Sequence, residues 1–261
     1  MKTTKTLLIT GASSGIGKEI ASIHAENGGN LVIIARSGDK LEKLKTELEQ
    51  KHAVQVKVIV KDLNLPEAPK EIYEEVKKAG IQIDYLVNNA GFGGIGKFHE
   101  REWTQDLAMI NLNVVALTAL TRLFLPDFVE RNSGRILNVS STASLMPGPL
   151  QAVYFATKAY VTSFSQAIAG ELLDTNVTVT ALLPGATETE FGRISGMDKT
   201  TMFQHTANAR TVALDGYKGM LAGRLEVISG LTFAQKVMML FLPITPKKIM
   251  LRQIRRMQEV S

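Results

Sequence analysis

Tyr154 and Lys158 stand four residues apart in the run Tyr154-Phe155-Ala156-Thr157-Lys158. If the run is helical, positions i and i+4 stack on one face, so the phenol and the ammonium project together. A free tyrosine titrates near pH ~10 and exchanges protons poorly at neutrality. A neighbouring ammonium favours the phenolate and draws that pKa toward the working range, as a tyrosine acid/base requires. Ser141 follows the strand-like run Arg135 to Ser140, and strand ends are where α/β folds place their site residues. A Tyr and a Lys at this spacing are more often mere helix neighbours. The elements around them decide between the two.

Those elements alternate. Thr6 to Thr10 is a short apolar run leading into Gly11-Ala-Ser-Ser-Gly15-Ile-Gly17, and Ile16, Ile20 and Ile23 then recur at helical spacing. This order predicts strand, glycine loop, helix. Further strands are predicted at Leu31 to Ala35, Val56 to Val60, Ile83 to Val87, Arg135 to Ser140, Val177 to Leu183 and about Leu225 to Ile228. Between them lie amphipathic segments marked by Leu41, Leu44 and Leu48, by Ile72 and Val76, and a long one over Trp103 to Glu130. Strands that are apolar throughout, alternating with helices, point to a parallel sheet covered on both faces. The crossover rule makes it a doubly wound α/β sheet. No linker, repeat or low-complexity stretch divides the chain, so residues 1–261 are expected to form one domain.

Glycines after a strand let backbone approach a pyrophosphate, and the helix that follows offers N–H donors and a positive dipole end. The second strand ends in Ala35-Arg36 and not in an acidic residue. A carboxylate there would repel a 2′-phosphate, whereas the guanidinium fork of Arg36 can pair with one.

Taken together, Thr10-Gly11-x-x-x-Gly15-x-Gly17, Asn88-Asn89-Ala90-Gly91, Ser141, Tyr154-x-x-x-Lys158 and Pro184-Gly185 resemble the short-chain dehydrogenase/reductase family from about Leu7 to Thr189. The resemblance implies strand order 3-2-1-4-5-6-7 and a catalytic set of Asn111, Ser141, Tyr154 and Lys158. It implies a cofactor cradle of Thr10, Gly11, Ser13, Ser14, Gly15, Ile16 and Gly17. Asp62 and Leu63 are implied beside the adenine, and Asn89, Ala90 and Gly91 along the ribose. Pro184, Gly185, Thr187 and Thr189 are implied at the nicotinamide carboxamide, with Tyr154 and Lys158 shared between cofactor and chemistry. With Arg36 it implies NADP(H) over NAD(H), although the other basic position of NADP-using relatives is Ser14 here. By the same resemblance, Tyr154 protonates a carbonyl oxygen held with Ser141 while hydride arrives from the nicotinamide. Lys158 lowers the Tyr154 pKa, and Asn111, at an irregularity in its long helix, holds a water that links Lys158 to solvent. Pairing of the long helices into a homodimer or homotetramer is implied too.

Composition narrows the field. With no cysteine, disulfides and thiolate metal sites are excluded. His24, His52, His99 and His205 show no ligand spacing, so no catalytic metal is expected. Apolar runs fall short of the ~20 residues of a membrane helix, no signal peptide is apparent, and a cytoplasmic location is expected. A net charge of +5 suits an anionic cofactor, but no aromatic-and-basic stripe supports nucleic-acid binding.

Residues 191–223 are expected to form a substrate lid. Phe191, Ile194, Met197, Met202 and Phe203 make it apolar and adaptable. Gly93-Gly94-Ile95-Gly96 and Leu145-Met146-Pro147 are expected opposite, so the substrate should be a hydrophobic carbonyl or alcohol. Residues 230–261 read as a helical extension like the tails of acyl-chain and steroid reductases. It could form a subunit contact, a clamp on the substrate mouth, or an interfacial membrane helix. Two rivals stand beside the reductase. A non-catalytic dinucleotide sensor or scaffold is at odds with the retained Tyr154 and Lys158, and a sugar-nucleotide epimerase would need a larger substrate domain.

Overall fold

The computed structural model describes residues 4–200, 203, 206–241 and 244–259. Seven parallel strands form one sheet in the order β3-β2-β1-β4-β5-β6-β7. These are β1 (Thr6–Thr10), β2 (Asn30–Ala35), β3 (Val56–Val60), β4 (Tyr85–Asn88), β5 (Gly134–Val139), β6 (Val177–Pro184) and β7 (Glu226–Ser229). In β1 the period-two alternation of side chains explains why the run is apolar throughout. Leu7 and Ile9 enter one core layer, with Ile20, Leu41 and Val212. Leu8 enters the other, with Ile72, Leu120 and Phe124. Both faces are dry, and burying each such side chain contributes about 1.5–3 kcal/mol.

The first layer is covered by α1 (Gly15–Glu26), α2 (Gly38–His52) and α8 (Ala209–Leu221). The second lies under α3 (Ala68–Lys78) and the long helix, which comprises α4 (Trp103–Ile110), a π-helical segment at Asn111–Ala116 and α5 (Leu117–Glu130). At 28 residues the long helix is by length and composition apolar enough to cross a membrane, which the run lengths had not suggested. Its Leu120, Phe124 and Phe128 are instead buried against the sheet.

The expected lid over 191–223 divides in two. Its first part, α7 (Glu190–Ser195), a short 3₁₀ turn at Met197–Lys199, and Thr200 and Phe203, lies over the strand ends. Helix α8 belongs to the core, because Val212, Ala213, Tyr217 and Met220 are buried on it. His24 packs between two helices. It is buried, and its Nδ1 meets the Tyr217 hydroxyl at 2.9 Å, joining α1 to α8.

Helix α6 (Ala152–Glu171) is pinned to the sheet by polar side chains. The Ser140 hydroxyl donates to the Lys158 carbonyl at 2.9 Å, and Asn138 Nδ2 donates to Ser165 Oγ at 2.9 Å. Asn88 Nδ2 donates to Asn138 Oδ1 at 2.9 Å and extends the chain to β4. These bonds fix the rotation of α6 and so the direction in which Tyr154 and Lys158 point.

Candidate active site

Parallel strands end on one edge, and the segments leaving β1, β2, β3, β4, β5 and β6 converge there on a cleft of about 500 Å³. At its β1 end Gly11 takes φ +66°, a conformation costly for any side chain. Gly17 answers a different need. A methyl built there would lie 2.4 Å from both the Gly11 carbonyl oxygen and Asn89 Nδ2. The Asn89 carboxamide donates to the carbonyls of Thr10 and Gly11 at 2.9 and 3.2 Å, and Thr10 Oγ1 accepts from the backbone N–H groups of Asn89 and Ala90, each at 3.0 Å. Thr10 and Gly17 therefore do not line the cleft. They lock β1 to β4 behind it, which corrects their expected place in the cradle.

The other expected cofactor positions do line it: Gly11, Ser13, Ser14, Gly15, Ile16, Arg36, Asp62, Leu63, Asn89, Ala90, Gly91, Pro184, Gly185, Thr187 and Thr189. Ser14 precedes α1 without capping it, so its hydroxyl does not occupy the first-turn N–H groups. An open helix N-terminus beside a glycine loop has the donor set that a pyrophosphate needs. Arg36 lies near Ser37, Lys40 and Lys61 at the far end of the cleft, a cationic corner that fits a 2′-phosphate. Lys40 Nζ meets Glu190 Oε1 at 2.9 Å and joins α2 to α7 there.

At the other end stand Ser141, Tyr154 and Lys158. Ser141 caps the 3₁₀ turn that leaves β5, its Oγ accepting from the Ala143 N–H at 3.1 Å, and it also hydrogen-bonds the Tyr154 hydroxyl. Burial pushes the Tyr154 phenol up to about 12, against a smaller lowering by the Ser141 bond. Burial also brings the Lys158 ammonium down to about 8. Lys158 is not among the causes that shift Tyr154, for a geometric reason. Lys158 Nζ donates to the Val139 carbonyl at 2.8 Å and sits 6.0 Å from the tyrosine ring centre, so desolvation dominates both groups. Tyr154 is thereby held as a phenol at neutral pH, the form that can give a proton.

Asn111 is not part of this cluster. It is half-buried, lies outside the cleft, and makes no side-chain hydrogen bond among the described residues. Two residues of helix turn through roughly 200°, so its neighbour Asn113 faces the other way. Asn113 is 1% exposed; its Oδ1 accepts from the Phe92 N–H at 3.1 Å and its Nδ2 donates to the Phe92 carbonyl at 2.9 Å and to Thr157 Oγ1 at 3.1 Å. A methyl built on Gly91 would lie 2.9 Å from Asn113 Oδ1 and 3.4 Å from Lys158 Nζ, so the carboxamide and the ammonium flank the same backbone. The expected helix irregularity is present as the π segment, a feature frequent at functional sites. The residue it presents is Asn113. Asn113→Ala is accordingly expected to lower turnover at least tenfold by loosening this corner, and Asn111→Ala to stay within about twofold of wild type, measured as kcat with saturating NADPH.

Two walls differ from expectation as well. Phe191, Ile194, Met197 and Phe203 line the cleft as expected, whereas Met202 falls outside the described residues. Of the expected opposite wall, Gly93 and Met146 stand directly behind the lining: a methyl built on Gly93 would lie 2.8–3.3 Å from Met197, Phe191 and Tyr154, and Met146 packs on the same cluster. Arg101 lies over the glycine run from outside, donating to the Ile95 carbonyl at 2.9 Å while its Nε meets Asp106 Oδ1 at 2.8 Å. Thr142, Ala143, Phe155 and Gln151 take the place of that wall. Gln151 was not anticipated. It sits three residues before Tyr154, is 3% exposed, and its Oε1 has no partner among the described residues.

The chain belongs to the short chain dehydrogenase family, whose model matches residues 5–199. It is 36% identical over 197 residues to the very-long-chain 3-oxoacyl-CoA reductase of Homo sapiens, a match that takes in 72% of this chain and 61% of that protein. It thus spans about three-fifths of the length of that relative. It is also 37% identical over 192 residues to the NADP-dependent 3-hydroxy acid dehydrogenase of Schizosaccharomyces pombe, covering 72% of this chain and 73% of the other. Among solved structures, a short-chain dehydrogenase from Sphingobium yanoikuyae in complex with NADPH superposes with a TM-score of 0.83 at 31% identity, over 94% of this chain and 95% of that one.

Proposed function

We propose that this protein is an NADP(H)-dependent oxidoreductase that interconverts a carbonyl and an alcohol on a hydrophobic substrate. One observation carries the reading: the half-buried Ser141 and the buried Tyr154 and Lys158 open onto the same cleft as the glycine cradle and Arg36. The named relatives and the NADPH-bound structure support it. Bound in the cradle, the cofactor would supply hydride to the carbonyl carbon. Ser141 Oγ and the Tyr154 hydroxyl bind the carbonyl oxygen, and Tyr154 gives it a proton as the hydride arrives. Lys158 returns a proton to the phenolate, and the water-holding role expected of Asn111 passes to Asn113. Phe155, Phe191, Met197 and Phe203 exclude water and favour an apolar chain, while the free Gln151 oxygen offers an acceptor to a second polar group of the substrate. Exposed Trp103, Leu107 and Val115 on the long helix support assembly into a homodimer or homotetramer through that face.

Titration with NADPH and NADH, followed by nicotinamide fluorescence, tests the reading first. NADPH should bind more tightly, and Arg36→Ala should weaken it about 10- to 100-fold while barely changing NADH, as expected for loss of a charge-assisted contact. An unchanged preference would remove Arg36 as the phosphate reader. Binding of neither dinucleotide would sink the whole reading, and tight binding without turnover on a panel of aldehydes and ketones would favour a sensor.

A further inference from the structure

Residues 232–261 contain six of the chain's 30 lysines and arginines but only one of its 25 acidic residues, so the preceding 231 residues carry 24 of each sign. The whole formal charge of +5 therefore resides in this one stretch, and the rest of the molecule is balanced. Its described part folds as α9 (Phe233–Phe241) and α10 (Lys247–Gln258). Helix α10 turns Met250, Ile254 and Gln258 inward at i, i+4 and i+8. Lys247, Lys248, Arg252, Arg255 and Arg256 are left on its exposed faces. The single acid, Glu259, is taken by Arg255 at 3.1 Å. The same stretch exposes large apolar side chains beside the cations: Phe233 is 83% exposed, Phe241 56%, Ile244 76% and Ile249 51%.

We propose that this segment docks the protein on an anionic lipid surface. A segment with an excess of cations, only Arg255 of them paired with an acid among the described residues, together with exposed aromatic and aliphatic groups is what interfacial docking requires. The cations meet headgroups while the apolar side chains enter the acyl boundary. A nucleic acid or other polyanion would engage the cations but leave Phe233, Phe241 and Ile244 in water. Because the rest of the chain is balanced in net charge, the excess positive charge of the molecule sits on this segment and favours its approach to an anionic bilayer.

Flotation of the full chain with vesicles of phosphatidylcholine alone, and of phosphatidylcholine with roughly one-third phosphatidylglycerol, tests the proposal. Binding is expected only to the anionic vesicles and should fall steeply as salt rises from about 0.05 to about 0.5 M. Each cation near the surface is worth roughly a fivefold change in partition, so Lys248→Glu with Arg252→Glu should reduce binding at least tenfold. Phe241→Ser with Ile244→Ser should reduce it about as much. NADPH affinity serves as the check that both variants are folded. No flotation, or equal binding to both vesicles, overturns the proposal. So does vesicle binding that ignores the serine substitutions and is abolished by heparin, which would mark a polyanion surface. Loss of self-association in these variants, without vesicle binding by the wild type, would assign the segment to a subunit contact.

Discussion

Tyr154→Phe is expected to lower kcat for carbonyl reduction by about 10²–10⁴-fold, the usual contribution of a positioned general acid. The substitution removes one hydroxyl and little else. The ring keeps its packing against Phe155 and Phe191, with centroids 6.0 and 5.5 Å away, so the wall of the cleft survives. Ser141 keeps its bond from the Ala143 N–H. Nothing in the glycine cradle touches the lost oxygen, so NADPH affinity measured by fluorescence should stay near the wild-type value. The loss should therefore appear in kcat and survive saturation with substrate, as for an interaction made in the transition state. A phenylalanine variant that turns over at the wild-type rate would take Tyr154 out of proton transfer. The cleft would then have to draw its proton from Ser141 or solvent.

What the sequence made legible was whatever depends on backbone periodicity and on residues that work through their own main chain. The apolar runs marked the inner strands because both faces of the sheet are buried there, while the edge strands β3 and β7 keep exposed positions such as Val60 and Ile228. Gly11 and Gly15 were readable because a turn of positive φ admits little else. Tyr154 and Lys158 were readable because i and i+4 share a face whatever the helix packs against. Asn111 failed where rotation about the helix axis mattered. Both asparagines of Asn111-Leu112-Asn113 fit a motif, and only the packing of the π segment on Phe92 and Thr157 shows which one turns inward. Spacing gave no hint of the Arg101–Asp106 pair that packs on Gly94 and Gly96. The pKa of Tyr154 failed for a similar reason. Proximity of an ammonium could be read from spacing, but the burial that outweighs it is a property of the assembled core. Gln151 was open to detection, since three residues before Tyr154 is the same helical face.

Lys158→Met should make the cofactor-free protein more stable while abolishing most of its activity. The folded-state pKa of Lys158 is about 8, against an ordinary 10.5, because the ammonium is desolvated. A lysine shifted downward binds its proton less well in the folded than in the unfolded chain. The fold therefore bears the full penalty below pH 8 and sheds it as pH rises from about 8 to 10.5. The shift corresponds to roughly 3 kcal/mol at neutral pH. Methionine fills similar space without charge but leaves the Val139 carbonyl without its 2.8 Å donor, a loss of about 1 kcal/mol. A net gain of about 1–2 kcal/mol at pH 7 follows, shrinking toward zero near pH 10. Tyr154 acts in a separate window. Its folded pKa is raised from 10.0 to about 12, so its contribution is present below pH 10 and lost above it. Urea denaturation of both proteins at neutral and alkaline pH, without cofactor, separates the two effects. A methionine variant less stable than wild type at pH 7 would mean that the protein solvates this ammonium better than its burial implies. A variant that is more stable and inactive would show that the fold tolerates a strained buried charge at the position where the proposed chemistry needs a proton returned to Tyr154.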